Sequence, residues 1–259
     1  MPLSPRDLLD TAVAAAHAGG ESTLRWFRSP TLDVESKSDN SPVTAADREA
    51  ERTIRSIIRE RWPRHAVLGE EEGRTGPADA PTWIIDPIDG TRSFIRGVPL
   101  YGTMVGVEVE GEIVAGAVSI PALGELYGAG RGLGAHRNNQ PISARRGSRL
   151  DESLLLYTNL RGFARDPHKE RGLHSLQART AMERSWGDCY GHLLVASGAA
   201  EIMLDPKMAV WDAAALIVIV EEAGGVFTSW EGERTVHGGS GVSCAPGVAE
   251  EVQTLLRGG

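Results

Sequence analysis

Apolar positions in the first twenty residues recur at helical spacing. Leu8, Leu9, Ala12, Val13 and Ala16 make one stripe, with Ser4 placed to cap it and Pro5 suited to the first turn. Gly19-Gly20 weakens the middle of this helix, and Leu24, Trp26 and Phe27 are placed to carry it further. A polar loop, Lys37-Ser38-Asp39-Asn40-Ser41-Pro42, leads to a second helix expected over 44–61 and stopped by Trp62-Pro63. The texture then changes to short apolar runs. Strands are expected over 66–68 and along Trp83-Ile84-Ile85-Asp86, and 101–108 and 113–120 read as a hairpin turning on Glu110-Gly111-Glu112. Another short strand falls at 126–129, and the Gly-, Asn- and Arg-rich stretch 130–149 is the best boundary.

Beyond it the pattern alternates. A strand over 154–158 precedes helices near 173–180 and over 189–197, and a strand over 201–204 precedes a helix over 211–223. A strand over 226–228 and a helix over 248–257 close the chain. Gly224-Gly225 is a helix stop. The layout predicts an α+β first half and an α/β second half packed as layers.

Four acids stand where apolar elements begin or end. Glu70 follows the 66–68 strand, Asp86 and Asp89 follow Trp83-Ile84-Ile85, and Asp212 opens the 211–223 helix. Strand ends and helix starts are where α/β folds gather active-site groups. Each acid has a plainer reading. Asp212 could be a helix cap, and Glu70 heads Glu70-Glu71-Glu72, which reads as a solvated charge run. Asp47 closes Thr44-Ala45-Ala46-Asp47, a capping-box pattern with Asp in place of Glu. Asp86 and Asp89 resist such a reading, because two carboxylates at the end of so apolar a strand need something to neutralise them.

The rest of the composition narrows the choices. The 259 residues are 41% hydrophobic and 24% charged, with a formal net charge of −8. That balance argues against nucleic acid as a main partner, and Arg145-Arg146 is expected to be solvated. Apolar runs such as 213–220 are too short to span a bilayer, and Met1-Pro2-Leu3-Ser4-Pro5-Arg6-Asp7 lacks the order of a signal peptide. A cytoplasmic protein with no membrane partner is expected. Cys189 and Cys244 fit no zinc spacing and are expected as buried, reduced thiols. Oxygen ligands without His or Cys favour Mg²⁺ or Mn²⁺. Two such ions roughly 3.5–4 Å apart can clamp a phosphoryl group, and Gly90-Thr91 forms a turn whose amides suit phosphate oxygens. Phosphoester hydrolysis is the chemistry implied.

The blocks Lys37-Ser38 with Pro42–Asp47, Leu68-Gly69-Glu70-Glu71, Trp83-Ile84-Ile85-Asp86-Pro87-Ile88-Asp89-Gly90-Thr91, and Trp211-Asp212-Ala213-Ala214-Ala215 followed by Glu222-Ala223-Gly224-Gly225 resemble the inositol monophosphatase family. The resemblance covers nearly the whole chain in order. It implies a layered αβαβα sandwich of the inositol monophosphatase and fructose-1,6-bisphosphatase type, commonly a homodimer. It implies that Glu70, Asp86, Asp89, Asp212 and the Ile88 carbonyl hold magnesium. It also implies that Asp47, Glu70 and Thr91 serve catalysis, the Asp47–Thr91 pair orienting the attacking water, and that Gly90 and Thr91 cradle phosphate. Residues 1–145 then form a metal-binding half and 146–259 a substrate half of one catalytic unit. Arg92-Ser93 departs from the family pattern, and Arg92 reads either as a group that helps hold the phosphate or as a side chain facing solvent, the second being the preferred reading.

Ser185-Trp186-Gly187-Asp188-Cys189-Tyr190 resembles a segment of the family's histidinol-phosphatase branch, implying histidinol phosphate as the small-molecule substrate. Its amine and imidazole would meet Asp188, Asp205 and Asp89, while Trp186 reads first as a core residue. Cys189, Tyr190 and His192 read as packing or supporting residues. An inositol or other small phosphomonoester, and a non-catalytic metal- or phosphate-binding relative, stand as alternatives.

Overall fold

The first apolar stripe winds into α1 (Pro5–Leu24). The structure, a computed structural model, describes residues 4–36 and 42–258, so of the polar loop expected over 37–42 the residues 37–41 lie outside the described residues and Pro42 falls in a strand. Ser4 occupies the N-cap with extended backbone, but its side chain makes no capping bond. Gly19 and Gly20 do not interrupt α1. A Cβ at Gly19 would meet Ile54 at 2.7 Å, and one at Gly20 would meet the Ser119 hydroxyl at 2.6 Å. The glycines therefore let α1 close on its neighbours. Trp26 and Phe27 lie past the helix end.

The short pair β1 (Val34–Ser36) and β2 (Pro42–Thr44) leads into α2 (Ala45–Arg61). There follow β3 (Ala66–Gly69), β4 (Gly73–Thr75), β5 (Thr82–Asp89), the single-turn α3 (Thr91–Ile95), β6 (Gly102–Val109), β7 (Glu112–Ile120), β8 (Glu125–Gly130), β9 (Gly134–Arg137) and β10 (Gln140–Pro141). The second half adds β11 (Leu154–Tyr157), α4 (Leu160–Phe163), α5 (Pro167–Gln177), β12 (Met182–Arg184), α6 (Cys189–Ala196), β13 (Ile202–Asp205), α7 (Val210–Glu222), β14 (Val226–Thr228), β15 (Gly241–Cys244) and α8 (Ala249–Gly258). Strands β3 to β10 make one sheet in the order β10-β9-β8-β7-β6-β5-β3-β4, and β12-β11-β13-β15-β14 make another.

The layers follow from which face each side chain buries. Trp83, Ile85, Val105 and Val107 pack with Leu8, Leu9, Ile54 and Ile58 of α1 and α2. On the opposite face Ile84, Met104 and Val118 pack with Leu193 of α6 and Ala213–Val220 of α7. The second sheet follows, and its far face buries Leu173 and Leu176 of α5 with Val252 and Leu256 of α8. The result is the expected α/β/α/β/α sandwich. Helix α7 is apolar all round, with eight consecutive buried residues, because it sits between two sheets.

Close approach of α7 to the first sheet is enforced by glycine. A Cβ at Gly106 would meet Ala214 Cβ at 2.7 Å, and one at Gly116 would meet Ala215 Cα at 2.9 Å. The stretch expected as a boundary is partly sheet: β9 and β10 extend the first sheet through Pro141. Strands β12 and β15 had no readable alternation, yet β15 lies between β13 and β14.

Candidate active site

Strands β3 and β5 run parallel, so both release their acids at the same end of the sheet. The Glu70 amide still donates to Ile85 O at 3.2 Å. In β5 the register with β6 jumps from Asp86 opposite Met104 to Asp89 opposite Gly102. Pro87 and Ile88 thus face Thr103 alone, and the Thr103 hydroxyl donates to Pro87 O at 2.8 Å. Pro87 has no amide to donate to the ladder, which suits it to this bulge. The extra residue turns Asp89 to the face already used by Ile84 and Asp86, toward α6 and α7. There α7 begins, with Asp212 in its first turn; the Ala209 amide donates to Asp212 Oδ2 at 2.7 Å.

Single carboxylate oxygens of Asp86, Asp89 and Asp212 lie within 4.8 Å of one another. Asp86 is 2% exposed, and its Oδ1 is buried with no hydrogen-bond partner. Burial first, then the charges of Glu70, Asp89 and Asp212, push Asp86 well above the usual carboxylate range. Asp89 is raised in the same way by burial and then by Asp188 and Asp212, although the Cys189 amide donates to its Oδ2 at 2.6 Å. Asp212 is raised to about 6, by burial foremost with Glu70 adding to it. An all-oxygen donor set, one oxygen of it buried and unpartnered, and mutually repelling acids fit a hard divalent cation.

Asp47 holds two positions at once. Its Oδ2 accepts from the Thr44 amide at 2.7 Å and the Thr44 hydroxyl at 2.6 Å, so the capping-box reading holds. Its Oδ1 is buried and unpartnered, and burial raises Asp47 to about 6, with Glu70 nearby contributing. Thr91, expected to act with Asp47 on the attacking water, makes a contact of its own with the preceding strand end. The Thr91 hydroxyl donates to Ile88 O at 3.0 Å, because the turn at Gly90 folds it back over that carbonyl. Gly90 has φ +79°, and Ser93 and Phe94 donate to Gly90 O, leaving the first amides of α3 outside the helix ladder.

Asp188 sits over this turn: a Cβ on Gly90 would come within 2.9 Å of Asp188 Oδ2. Asp188 is raised by burial, partly offset by its own backbone and by Arg92. Arg92 is exposed, as expected. Asp205 is raised well above the usual range by burial and then by Asp188, while accepting weakly from Thr158 Oγ1 at 3.4 Å and from the Lys207 amide at 3.2 Å. Trp186, expected in the core, is 42% exposed, because the connection from β12 to α6 runs over the surface. Arg145 is exposed, as expected, and from the surface it pairs with the buried Glu201 at 2.9 Å. His192 and both unpaired cysteines are buried as packing residues. The sequence reading missed Glu51 and Arg55, whose signal was two charges on the buried stripe of α2 with Ala50, Ile54 and Ile58.

A five-layer sandwich that brings parallel-strand acids, a helix-start acid and an open turn of amides together defines a phosphatase of the metal-dependent kind. The inositol monophosphatase family profile matches residues 4–257, and the chain belongs to that family. It is 44% identical over 237 residues to the histidinol-phosphatase of Chlorobaculum parvum, covering 92% of this chain and 91% of that one. It is 37% identical over 258 residues to the histidinol-phosphatase of Mycobacterium tuberculosis, covering 98% and 99%. The extragenic suppressor protein suhB of Bartonella henselae superposes with a TM-score of 0.90 at 27% identity, covering 98% and 99%.

Proposed function

We propose that the protein hydrolyses histidinol phosphate to histidinol and inorganic phosphate with magnesium held by Glu70, Asp86, the Ile88 carbonyl, Asp89 and Asp212, manganese being a substitute. The observation that carries the substrate is a second acidic group adjoining the first. Asp188 lies against Asp89 and Gly90, and Asp205 lies close enough to Asp188 for the Asp188 charge to push it up. Histidinol phosphate bears an amine and an imidazole away from its phosphate. Charge-assisted hydrogen bonds to Asp188 and Asp205 would relieve the repulsion that burial imposes on them. The names carried by the relatives at 44% and 37% identity support the same reading.

Magnesium, when bound, supplies positive charge against phosphoryl oxygens and lowers the pKa of neighbouring water. The chain's own groups do the rest. Asp47 Oδ1, buried and without a partner, accepts a hydrogen from the attacking water, with Glu70 beside it. The amides of Gly90 and Thr91 donate to phosphate oxygens, and the Thr91 hydroxyl holds the Ile88 carbonyl in place. Residues 1–145 would then bind metal and 146–259 read the substrate. The proposal also takes the protein as a cytoplasmic homodimer; among the described residues no helix is long and apolar enough to cross a membrane.

Phosphate release in Mg²⁺ from histidinol phosphate, inositol 1-phosphate and 3′-phosphoadenosine 5′-phosphate tests it. The highest kcat/KM is expected on histidinol phosphate. Preference for the inositol ester would replace the substrate and keep the mechanism, and silence on all three would favour a non-catalytic binding protein.

A further inference from the structure

Asp47, Glu51 and Arg55 fall four residues apart on α2, and all three are at most 3% exposed. Three charged side chains on the buried stripe of one helix call for a cause, because each could be replaced by an apolar residue at less expense in desolvation. The first of them faces Glu70 across the site. The second grips the chain on both sides of Glu70. Glu51 Oε2 accepts from the Glu71 amide at 2.8 Å, and Glu51 Oε1 accepts from the Glu72 amide at 3.0 Å. On the other side of Glu70, the position of a Gly69 Cβ is already filled by the Glu51 carboxylate, so only glycine fits there.

Arg55 locks this carboxylate in turn. Its Nε donates to Glu51 Oε1 at 2.8 Å, its Nη2 to Gly73 O at 2.6 Å, and its Nη1 to Thr75 Oγ1 at 3.1 Å. Every residue from Gly69 to Gly73 except Glu70 itself is thus touched by the Glu51–Arg55 pair, Glu72 also through its carboxylate 3.6 Å from Arg55 Nε. We propose that Glu51, backed by Arg55, is a positioning residue that fixes the direction of the Glu70 carboxylate toward the Asp86–Asp212 oxygens. The brace explains how a three-glutamate turn on the surface can present its first acid inward. It also joins Asp47 and Glu70 to one rigid helix, so the two acids keep a constant relation. The inference rests on the metal-site reading above and is independent of which phosphoester is cleaved.

Direct Mn²⁺ binding, read from the electron paramagnetic resonance of the free ion without any substrate, tests it on the full-length protein. Glu51→Gln preserves shape but cannot accept from both amides while facing Arg55. Its Mn²⁺ affinity is expected to fall by about 10–100-fold, the usual loss when a partner behind a metal ligand is removed. Ile58→Val, two turns along the same buried stripe, loosens the helix without touching the turn, and its Mn²⁺ affinity is expected to stay within about twofold of wild type. Wild-type affinity in a folded Glu51→Gln variant overturns the proposal, as does an equal loss in Ile58→Val. If Glu51→Gln does not fold, Arg55→Lys decides: it keeps one charge beside Glu51 but cannot hold Glu51, Gly73 and Thr75 together. A several-fold loss supports the brace, and unchanged binding overturns it. No Mn²⁺ binding by the wild type would remove the metal site and this inference with it, whereas a different preferred ester would leave both standing.

Discussion

Asp86 and Asp89 lie three residues apart in one strand, yet carboxylate oxygens of the two come within 4.8 Å of each other. In a regular strand an odd spacing sends side chains to opposite faces. The bulge at Pro87-Ile88, two residues opposite Thr103, restores them to one face. The cost of this arrangement is repulsion between buried carboxylates, and much of the protein's testable behaviour follows from it.

Asp89→Asn removes one proposed ligand and one repelling charge together. Turnover is expected to fall by at least about two orders of magnitude, since even partners behind a ligand cost 10–100-fold. In chelator the variant is expected to melt above the wild type, because a buried charge conflict has been relieved. Thermal unfolding in EDTA beside a phosphate-release assay reads both; a lower melting point in EDTA contradicts the relief of repulsion.

Asp188→Asn probes the cationic end of the substrate. Loss of a charge-assisted contact worth about 1.5–3 kcal/mol predicts a KM for histidinol phosphate roughly 10-fold higher or more. A neutral phosphomonoester should be affected far less. Equal losses on both would remove Asp188 from substrate reading.

Magnesium and protons should oppose each other. Asp47 and Asp212 are each pushed from 3.8 to about 6, by burial foremost. Between those values the metal-free folded protein binds more protons than the unfolded chain, so its stability rises as pH falls through about 6. A cation held by Asp212 would require its ionised form, so the cation's stabilisation is expected to run the other way. The rise in Tm given by Mg²⁺ is expected to be large at about pH 7.5 and to shrink toward pH 5. Calorimetry with and without chelator reads it, and an increment that grows on acidification would refute the carboxylate origin.

Gly106→Ala tests how the middle layer sets the site. Its methyl would meet Ala214 Cβ at 2.7 Å and push α7 off the sheet. Overpacking of this kind costs about 1–3 kcal/mol. Because Asp212 rides on the first turn of α7, Mn²⁺ affinity should fall along with stability. Denaturant unfolding and metal titration separate the two; destabilisation with unchanged affinity would show that Asp212 is held independently of the helix seat.

Much of the fold was legible because its elements carry strong local signals. The stripe of α1, the Pro63 stop after α2, the glycine turn of the β6–β7 hairpin and the Gly224 stop after α7 all appear where the pattern puts them, Gly224 with φ +83°. Strands β9, β12 and β15 were not legible. They are short, and β15 is held by pairing with β13 and β14 rather than by any alternation of its own. Trp186 misled because composition favours burying tryptophan, whereas its place on a surface connection exposes it.

By itself the sequence determined which residue types stand at element ends: hard oxygen donors at Glu70, Asp86, Asp89 and Asp212, and a glycine turn beside them. Those choices are local, because strand ends, caps and turns are set by neighbouring residues. Only the tertiary structure decided that Asp86, Asp89 and Asp212 bring oxygens within 4.8 Å of one another. The bulge in β5 put Asp86 and Asp89 on one face, glycine-tight packing of α7 delivered Asp212 to them, and the parallel pairing of β3 with β5 released Glu70 at the same sheet end, where its charge acts on Asp86. It also folded the Thr91 hydroxyl onto the Ile88 carbonyl, and put Glu51 and Arg55 behind Glu70. Convergence depends on register and layer spacing, which arise between segments distant in the chain and leave no mark on any one of them.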